Sequence, residues 1–444
     1  MKKLVALFLA LITVMAGMTG CAATPSNTSD PSGAQTEGAT NADAGGETDT
    51  SEEQVTLTWA VFETDNLTAE YWQHIIDTFE ADNPNIKIEK VLMTGDSRPQ
   101  FLKTMMAAGS MPDINVDPVD LASTEGVYAE VPEDLLDNFE DSAVVSFNGK
   151  KTLIPAYTAL RAQVYYNKDL FAQAGIEEFP TTLDEFTETC QKLQDAGITP
   201  LITCGAKDIW ATDFGYFTAY LNSEVYSEYP TFNEDLKEGT VDFNNPVVVD
   251  AMTYWQDLIK AGYYHKGSMS FSYSQASAEF LKGEAAMMID GAWVAPSIDS
   301  GDDAYAKENI AVAPFPTTDK TYCTMPQYWA VSETCENKEA AFTFCEYVLG
   351  GNPELYQYYL QADGLYSITK EPVTYDMGPL QTQFVENFSD YTQVPEIVKL
   401  PGDYALPTGL EDFIHKSCQN IYTGADVATE VATWDAEYDK LMNN

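Results

Sequence analysis

LIPAYTALRAQVYYNKDLFAQAGI, residues 153–176, is the stretch from which the fold is read. It starts apolar and extended, and Pro155 bars a helix there because its ring fixes φ and removes a backbone donor. Thr158 to Gln163 reads as an exposed polar patch. Val164-Tyr165-Tyr166 reads as a strand, since β-branched and aromatic side chains suit a pleated surface. Asn167-Lys168-Asp169 then turns the chain into a short helix, Leu170 to Ala174, closed by Gly175. One strand thus leads through a polar kink into a second strand and a new helix.

Upstream, Val55 to Val61 alternates like a strand, and Phe62 to Leu67 is a polar loop. Tyr71 to Phe79 has apolar residues at 71, 72, 75, 76 and 79, the spacing of one helix face, and Asn83-Pro84 ends it. Ile86 to Leu92 is the next strand. Phe101, Leu102, Met105 and Met106 mark a helix closed by Gly109, and Pro112 to Asp117 is a strand ending in a carboxylate. This alternation predicts an α/β fold with a parallel sheet and helices on its faces. Ligands of such sheets sit beyond the carboxyl ends of the strands. That sets Glu63, Thr64, Asp65, Asp117 and Asp120 along one rim.

Downstream, Thr182 with Glu185 forms a capping box for a helix through Ala196, stopped by Gly197. Thr199 to Thr203 reads as a strand and Ile209 to Leu221 as an aromatic-rich helix. Asn245-Pro246 opens a helix with Val248, Met252, Trp255 and Ile259 on one face. FLKGEAAMMIDGAW, residues 280–293, is a helix end, a buried strand and then Gly291, which permits a tight turn and sets Trp293 at the strand's carboxyl end. Further helical patterns occupy 353–362, 377–387 and 408–422.

The N-terminus carries processing signals. Lys2 and Lys3 precede an apolar run, Leu4 to Ala16, of 13 residues, too short to span a bilayer comfortably. Met18-Thr19-Gly20-Cys21 resembles a lipobox, which makes Cys21 the expected site of diacylation. The segment 22–54 contains no aromatic residue, Lys or Arg and reads as a flexible tether. The formal charge of −46 argues against nucleic acid and against anionic lipid surfaces, both of which call for basic protein. Six Cys remain beyond Cys21. Cys190, Cys345 and Cys418 fall on apolar helix faces as core thiols, whereas Cys323 and Cys335 flank a strand and could pair. Neither their spacing nor the three isolated His makes a zinc pattern, and no EF-hand loop occurs. Gly149-Lys150 lacks the upstream Gly of a phosphate-binding loop, because position 144 is Val. G-x-S-x-G and H-E-x-x-H are absent too.

YYNKDLFAQAGI followed by FPTTLDEF resembles the segment that enters the second lobe of bacterial extracellular solute-binding proteins of the carbohydrate class, the maltose-binding-protein-like group. Residues 280–293 are similar to that family's F-x-x-G-x-A-A-M-x-x-x-G-x-W element, and MPDINVDPVDLASTEGVYAEV to its segment after a Pro-Asp strand. Asn337 to Leu349 resembles its K-x-x-A-x-x-F helix, so the likeness covers about 55–444 in correct order.

The resemblance implies a two-lobed periplasmic-binding-protein-like fold (type II), each lobe a sheet flanked by helices. Its expected parts are a signal peptide at 1–20, a linker at 21–54, a first lobe at 55–158 and 315–352, and a second lobe at 159–314 and 353–444. The chain would cross between lobes near 154–162, 310–316 and 350. It implies a lipid-anchored, extracellular, monomeric sugar-capture protein without cofactor, serving an ABC permease and its ATPase. Sugars offer hydroxyls at their edges and C–H faces, which carboxylates and aromatic rings recognise. The candidates are Glu63, Asp65, Asp117 and Asp120 for hydroxyls, Trp210, Trp293, Tyr328 and Trp329 for faces, Tyr157 and Arg161 as hinge donors, and Gly291. Two other readings stay open: a glycosidase, which needs only two carboxylates at a suitable separation, and a lipoprotein presenting ligand to a membrane sensor.

Overall fold

The computed structural model describes residues 54–95 and 97–443. The expected signal peptide, the acceptor Cys21 and all of the linker but Gln54 lie outside the described residues. The strands are β1 (Val55–Val61), β2 (Ile86–Leu92), β3 (Ile114–Val116), β4 (Ile154–Leu160), β5 (Gln163–Asn167), β6 (Leu201–Ile202), β7 (Met287–Asp290), β8 (Ile310–Ala313), β9 (Thr321–Val331) and β10 (Thr392–Pro395). They form two sheets. The first runs β10-β9-β3-β1-β2 with β4 on the other edge of β9; the second runs β6-β7-β5-β8. β1 pairs in parallel with β2 and β3, joined by helices Ala69–Asp82 and Arg98–Ala107, as the strand-helix alternation predicts.

The second sheet packs against cores on both faces, so β5 and β7 read as apolar runs, whereas the outer strand β2 exposes Glu89 and Leu92. Trp59, Trp72, Ile75, Phe79, Trp329 and Phe344 belong to the core of the first sheet. In the second sheet successive side chains alternate between two clusters. Val164 and Met287 join Phe186, Trp255 and Trp434 on one side; Tyr165 and Met288 join Phe280 and Phe384 on the other. Helix Leu183–Asp195 starts on the expected capping box, in which Thr182 accepts from the Glu185 N–H and Glu185 accepts from the Thr182 N–H. Such caps contribute about 0.5–2 kcal/mol.

The two sheets are joined through β4 and β9. Ala159 packs in the first core and the next residue, Leu160, in a core of the second sheet. β9 does the same in reverse: Cys323 packs with the second sheet and Tyr328 with the first. By packing, then, the second crossing lies within β9, later than the expected 310–316, because β8 pairs with β5 in the second sheet. The third falls after Tyr375 rather than near 350. Helix Pro353–Gln361 turns Leu355, Tyr356, Tyr359 and Leu360 into the aromatic core around Trp329, while Leu380 packs with the second sheet.

Three other expectations change. Residues 159–163 of the polar patch are buried rather than exposed. Gln163 donates to Phe384 O at 2.6 Å and accepts from Asn387 at 2.7 Å, which offsets the loss of water. Cys323 and Cys335 are both free and buried. They lie beyond or near opposite ends of an 11-residue strand, at about 3.3 Å per residue, whereas a disulfide needs Cα atoms within about 7 Å. The expected helix 209–221 is broken into a tight turn, Ile209–Thr212, one helical turn, Phe214–Tyr216, and a widened turn, Phe217–Leu221. The break seats Gly215 directly on β7, where a Cβ would lie 2.0 Å from Ile289 O.

Candidate functional site

On the first lobe the site grows from the ends of β1 and β3. After β1, Trp72 Nε1 donates to Phe62 O at 2.7 Å, and Thr64 Oγ1 accepts from the Leu67 N–H at 3.0 Å, folding the loop into a compact turn. That turn presents Asn66. Its amide donates to Asp363 Oδ1 at 2.9 Å and to Trp293 O at 3.1 Å, so one side chain joins the first lobe to the segment carrying Trp293. After β3, Asp117 adopts φ +53°, a left-handed conformation that Asp tolerates better than most residues. Its Oδ2 faces the Arg98 guanidinium at 3.4 Å, and Arg98 lies 4.1 Å over the Phe62 ring. Asp117, Tyr157, Gln327, Tyr359 and Phe62 line one pocket. Asp363 is buried enough that its carboxyl is pushed up to about 6, against the pull of Asn66 and Arg98.

The second lobe supplies an aromatic wall. β7 ends in Asp290, and the next turn brings Trp293 back over Gly291. A Cβ on Gly291 would meet the indole at 2.3 Å, so the residue's role is close approach rather than positive φ. Trp293 lies 5.2 Å from Phe214 and 6.3 Å from Trp210, and Trp210 lies 5.5 Å from Tyr273. Trp293 Nε1 donates to Tyr273 Oη at 2.6 Å. Tyr273 Oη donates to Asp290 Oδ2 at 2.9 Å, and Gly291 N–H donates to Asp290 Oδ1 at 2.7 Å. Burial pushes the Asp290 carboxyl up to about 7, with those two donors acting against it.

The residues predicted from sequence therefore separate. Trp293, Trp210, Asp117, Tyr157 and Gly291 lie at these two walls. Glu63 is tied to Lys90 at 2.8 Å near the surface, and Asp65 is exposed in the same loop. Asp120 pairs with Lys103 at 2.9 Å and accepts from Gly409 N at 3.3 Å; burial raises its pKa, with Lys103 acting against the rise. Arg161 is engaged by Glu396 at 2.6 Å. Tyr328 and Trp329 are core residues, each 1% exposed, which donate to Ala143 O and Tyr359 Oη. Their rings back the pocket rather than stand in it. Sequence reasoning missed Asn66, Phe214, Tyr273, Asp290, Arg98 and Asp363. Asp290 stood inside the quoted 280–293 stretch; the others become visible only when distant segments meet.

Two α/β lobes joined by crossing strands, with aromatic and carboxyl groups gathered where they meet, define the class of two-lobed binding proteins. The chain belongs to the bacterial extracellular solute-binding protein family, whose model matches residues 64–350. It is similar to a putative binding protein of Brucella abortus, 23% identical over 324 residues that cover 70% of this chain and 75% of that one. It is similar to an uncharacterized ABC transporter extracellular-binding protein of Pyrococcus horikoshii, 25% identical over 236 residues, covering 48% and 50%. Among solved structures, a chitin oligosaccharide binding protein superposes with a TM-score of 0.76 at 24% identity, covering 88% of this chain and 100% of that one.

Proposed function

We infer that this protein captures a carbohydrate between its lobes and delivers it, unaltered, to an ABC permease powered by a partner ATPase. The observation that carries the reading is the half-buried Trp293 indole, set among Trp210, Phe214 and Tyr273 and linked through its carbonyl to Asn66, beside Asp363. An aromatic face with carboxyl and amide groups at its edge suits a sugar ring. The chitin oligosaccharide binding protein and the ABC transporter relative point the same way. Packing supports a first lobe of about 55–159 and 325–375 and a second of about 160–324 and 376–443. The protein acts as a monomer without cofactor, held outside the cell by acyl chains on Cys21. Ligand touching both lobes favours the closed form by its differential affinity.

A thermal-shift screen with maltotriose, xylotriose, raffinose, stachyose and chitotriose tests this, since a ligand that binds only the folded state raises Tm. Trp293→Ala should weaken the best binder by about 1.5–3 kcal/mol in calorimetry. Unchanged affinity in a folded variant removes Trp293 from the site, and new reducing ends from any of these sugars would make the protein a glycosidase. Cys21→Ser should shift the protein from the membrane fraction to the soluble fraction; retention on membranes refutes the lipid anchor.

A further inference from the structure

The geometry points to Tyr273 and Asp290 as positioning residues that hold the Trp293 indole in its working orientation through a directed chain of hydrogen bonds. This rests on the reading of Trp293 as a ligand-contacting ring. The direction follows from chemistry. An indole N–H can only donate, so the Tyr273 oxygen must accept at 2.6 Å. The Tyr273 proton is then free for Asp290 Oδ2 at 2.9 Å, which accepts it when the carboxyl is ionised. The other carboxyl oxygen accepts from the Gly291 N–H at 2.7 Å. Asp290 thus grips both ends of the turn that carries Trp293: the backbone at Gly291 directly, and the ring through Tyr273.

The chain has fixed anchors. Tyr273 is the first residue of helix Tyr273–Leu281, and its N–H donates to Asp208 Oδ2 at 2.9 Å. Asp290 closes β7, where Gln163 is its register partner on β5. Tyr165, whose partner Met288 shares a sheet face with Asp290, donates through its Oη to Gly291 O at 2.8 Å, so the turn has a second hold. Asp290 is 4% exposed. A buried carboxyl whose two oxygens are both engaged inside the wall orients groups rather than meets solvent. Without the chain, the indole keeps its neighbours Phe214 and Trp210 but loses the single polar contact that selects one ring rotation.

The test needs a readout of the ring itself. Trp indole nitrogens are labelled with 15N, and the Trp293 signal is assigned by its loss in Trp293→Phe. In folded Tyr273→Phe and Asp290→Asn, the Trp293 N–H proton should move upfield while the Trp signals remote from Tyr273, those of Trp59, Trp72, Trp255, Trp329 and Trp434, stay. An unmoved Trp293 signal in both variants overturns the inference, whatever the sugar results. The second arm uses the best-binding sugar of the panel. Tyr273→Phe should weaken it about 3- to 10-fold, the range of one hydrogen bond. The same change made in Trp293→Ala should cost almost nothing more, because its effect runs through the ring. A full additional loss there would show that Tyr273 meets the sugar itself and would also overturn the inference. If Trp293→Ala alone binds sugar like the wild type, the cleft reading fails, and the nitrogen signal still decides whether the chain orients the ring.

Discussion

Arg161 and Glu396 meet at 2.6 Å with both side chains nearly removed from water. Burial by itself would lower the Arg161 pKa, but the facing Glu396 carboxylate raises it, so the guanidinium stays charged. Removing one partner strands the other. Arg161→Met should therefore cost about 3–5 kcal/mol in urea unfolding, while Arg161→Met with Glu396→Leu should recover much of it. A single variant as stable as the wild type would show the pair to be dispensable. The sequence marks Arg161 as unusual because basic residues are scarce, yet its partner lies 235 positions away. That is why a structural clamp reads as a ligand donor. Trp329 is ambiguous for the same reason. An aromatic residue at a strand has no visible face until Trp59, 5.0 Å away, and Tyr359 close around it. The placement of Trp293 was legible because Gly291 and the apolar strand before it specify a turn at a strand end.

At the scale of elements, β5 and β7 were legible because a strand buried on both faces leaves an apolar run, and β1 and β2 because Leu57 and Ile88 alternate with the exposed Thr56 and Glu89. The crossing points were less so. β9 is one 11-residue strand whose start packs with one core and whose end packs with another, and its pattern alone does not say where ownership changes. The segment 209–221 shows a sharper conflict. Its aromatic pattern suits a continuous helix, yet Gly215 sits against the β7 backbone and the turn after it widens. Widened turns of this kind often occur beside functional sites, and here the element carries Trp210 and Phe214 to Trp293. Gly215→Ala should force that element off β7. The expected cost is about 1–3 kcal/mol from overpacking, seen as a lower midpoint in urea, together with weaker binding of the best sugar. A variant that retains both stability and affinity would show that the close approach is not needed.

For the whole molecule, polar contacts bridge the lobes at several points. Ser97 Oγ donates to Asp412 at 3.1 Å, Thr408 donates to Asp120 O, and Asn148 N donates to Asp403 at 3.0 Å. Behind them stands a buried charge network. Lys399 Nζ is 2.7 Å from Glu411 Oε2, and His415 lies between Asp213 at 3.0 Å and Glu411 at 3.5 Å. Burial would lower the His415 pKa, but Asp213 and Glu411 overcome it and bring it up to about 10. Burial would raise that of Glu411, but Lys399 and His415 hold it at about 2.

The two shifts set a pH window. The raised pKa of His415 gives stability that is complete below its unfolded value of about 6.5 and is lost as pH rises through about 10. The lowered pKa of Glu411 gives stability that is complete above its unfolded value of about 4.3 and is lost as pH falls through about 2. Between about pH 4.3 and 6.5 both contributions are whole. Above that, His415 should make unfolding free energy fall by up to about 1.4 kcal/mol per pH unit. Urea unfolding of the wild type and His415→Gln between pH 6 and 10 measures this directly. Groups remote from His415, including the large acidic surface, contribute to both proteins and cancel in the difference, whereas Asp213 and Glu411 lose their His415 partner in the variant and titrate as part of the same network. The gap between the two should be widest near pH 6 and close steadily toward pH 10. A constant gap across that range would mean that His415 is held neutral, and that this buried network is a set of hydrogen bonds rather than of paired charges.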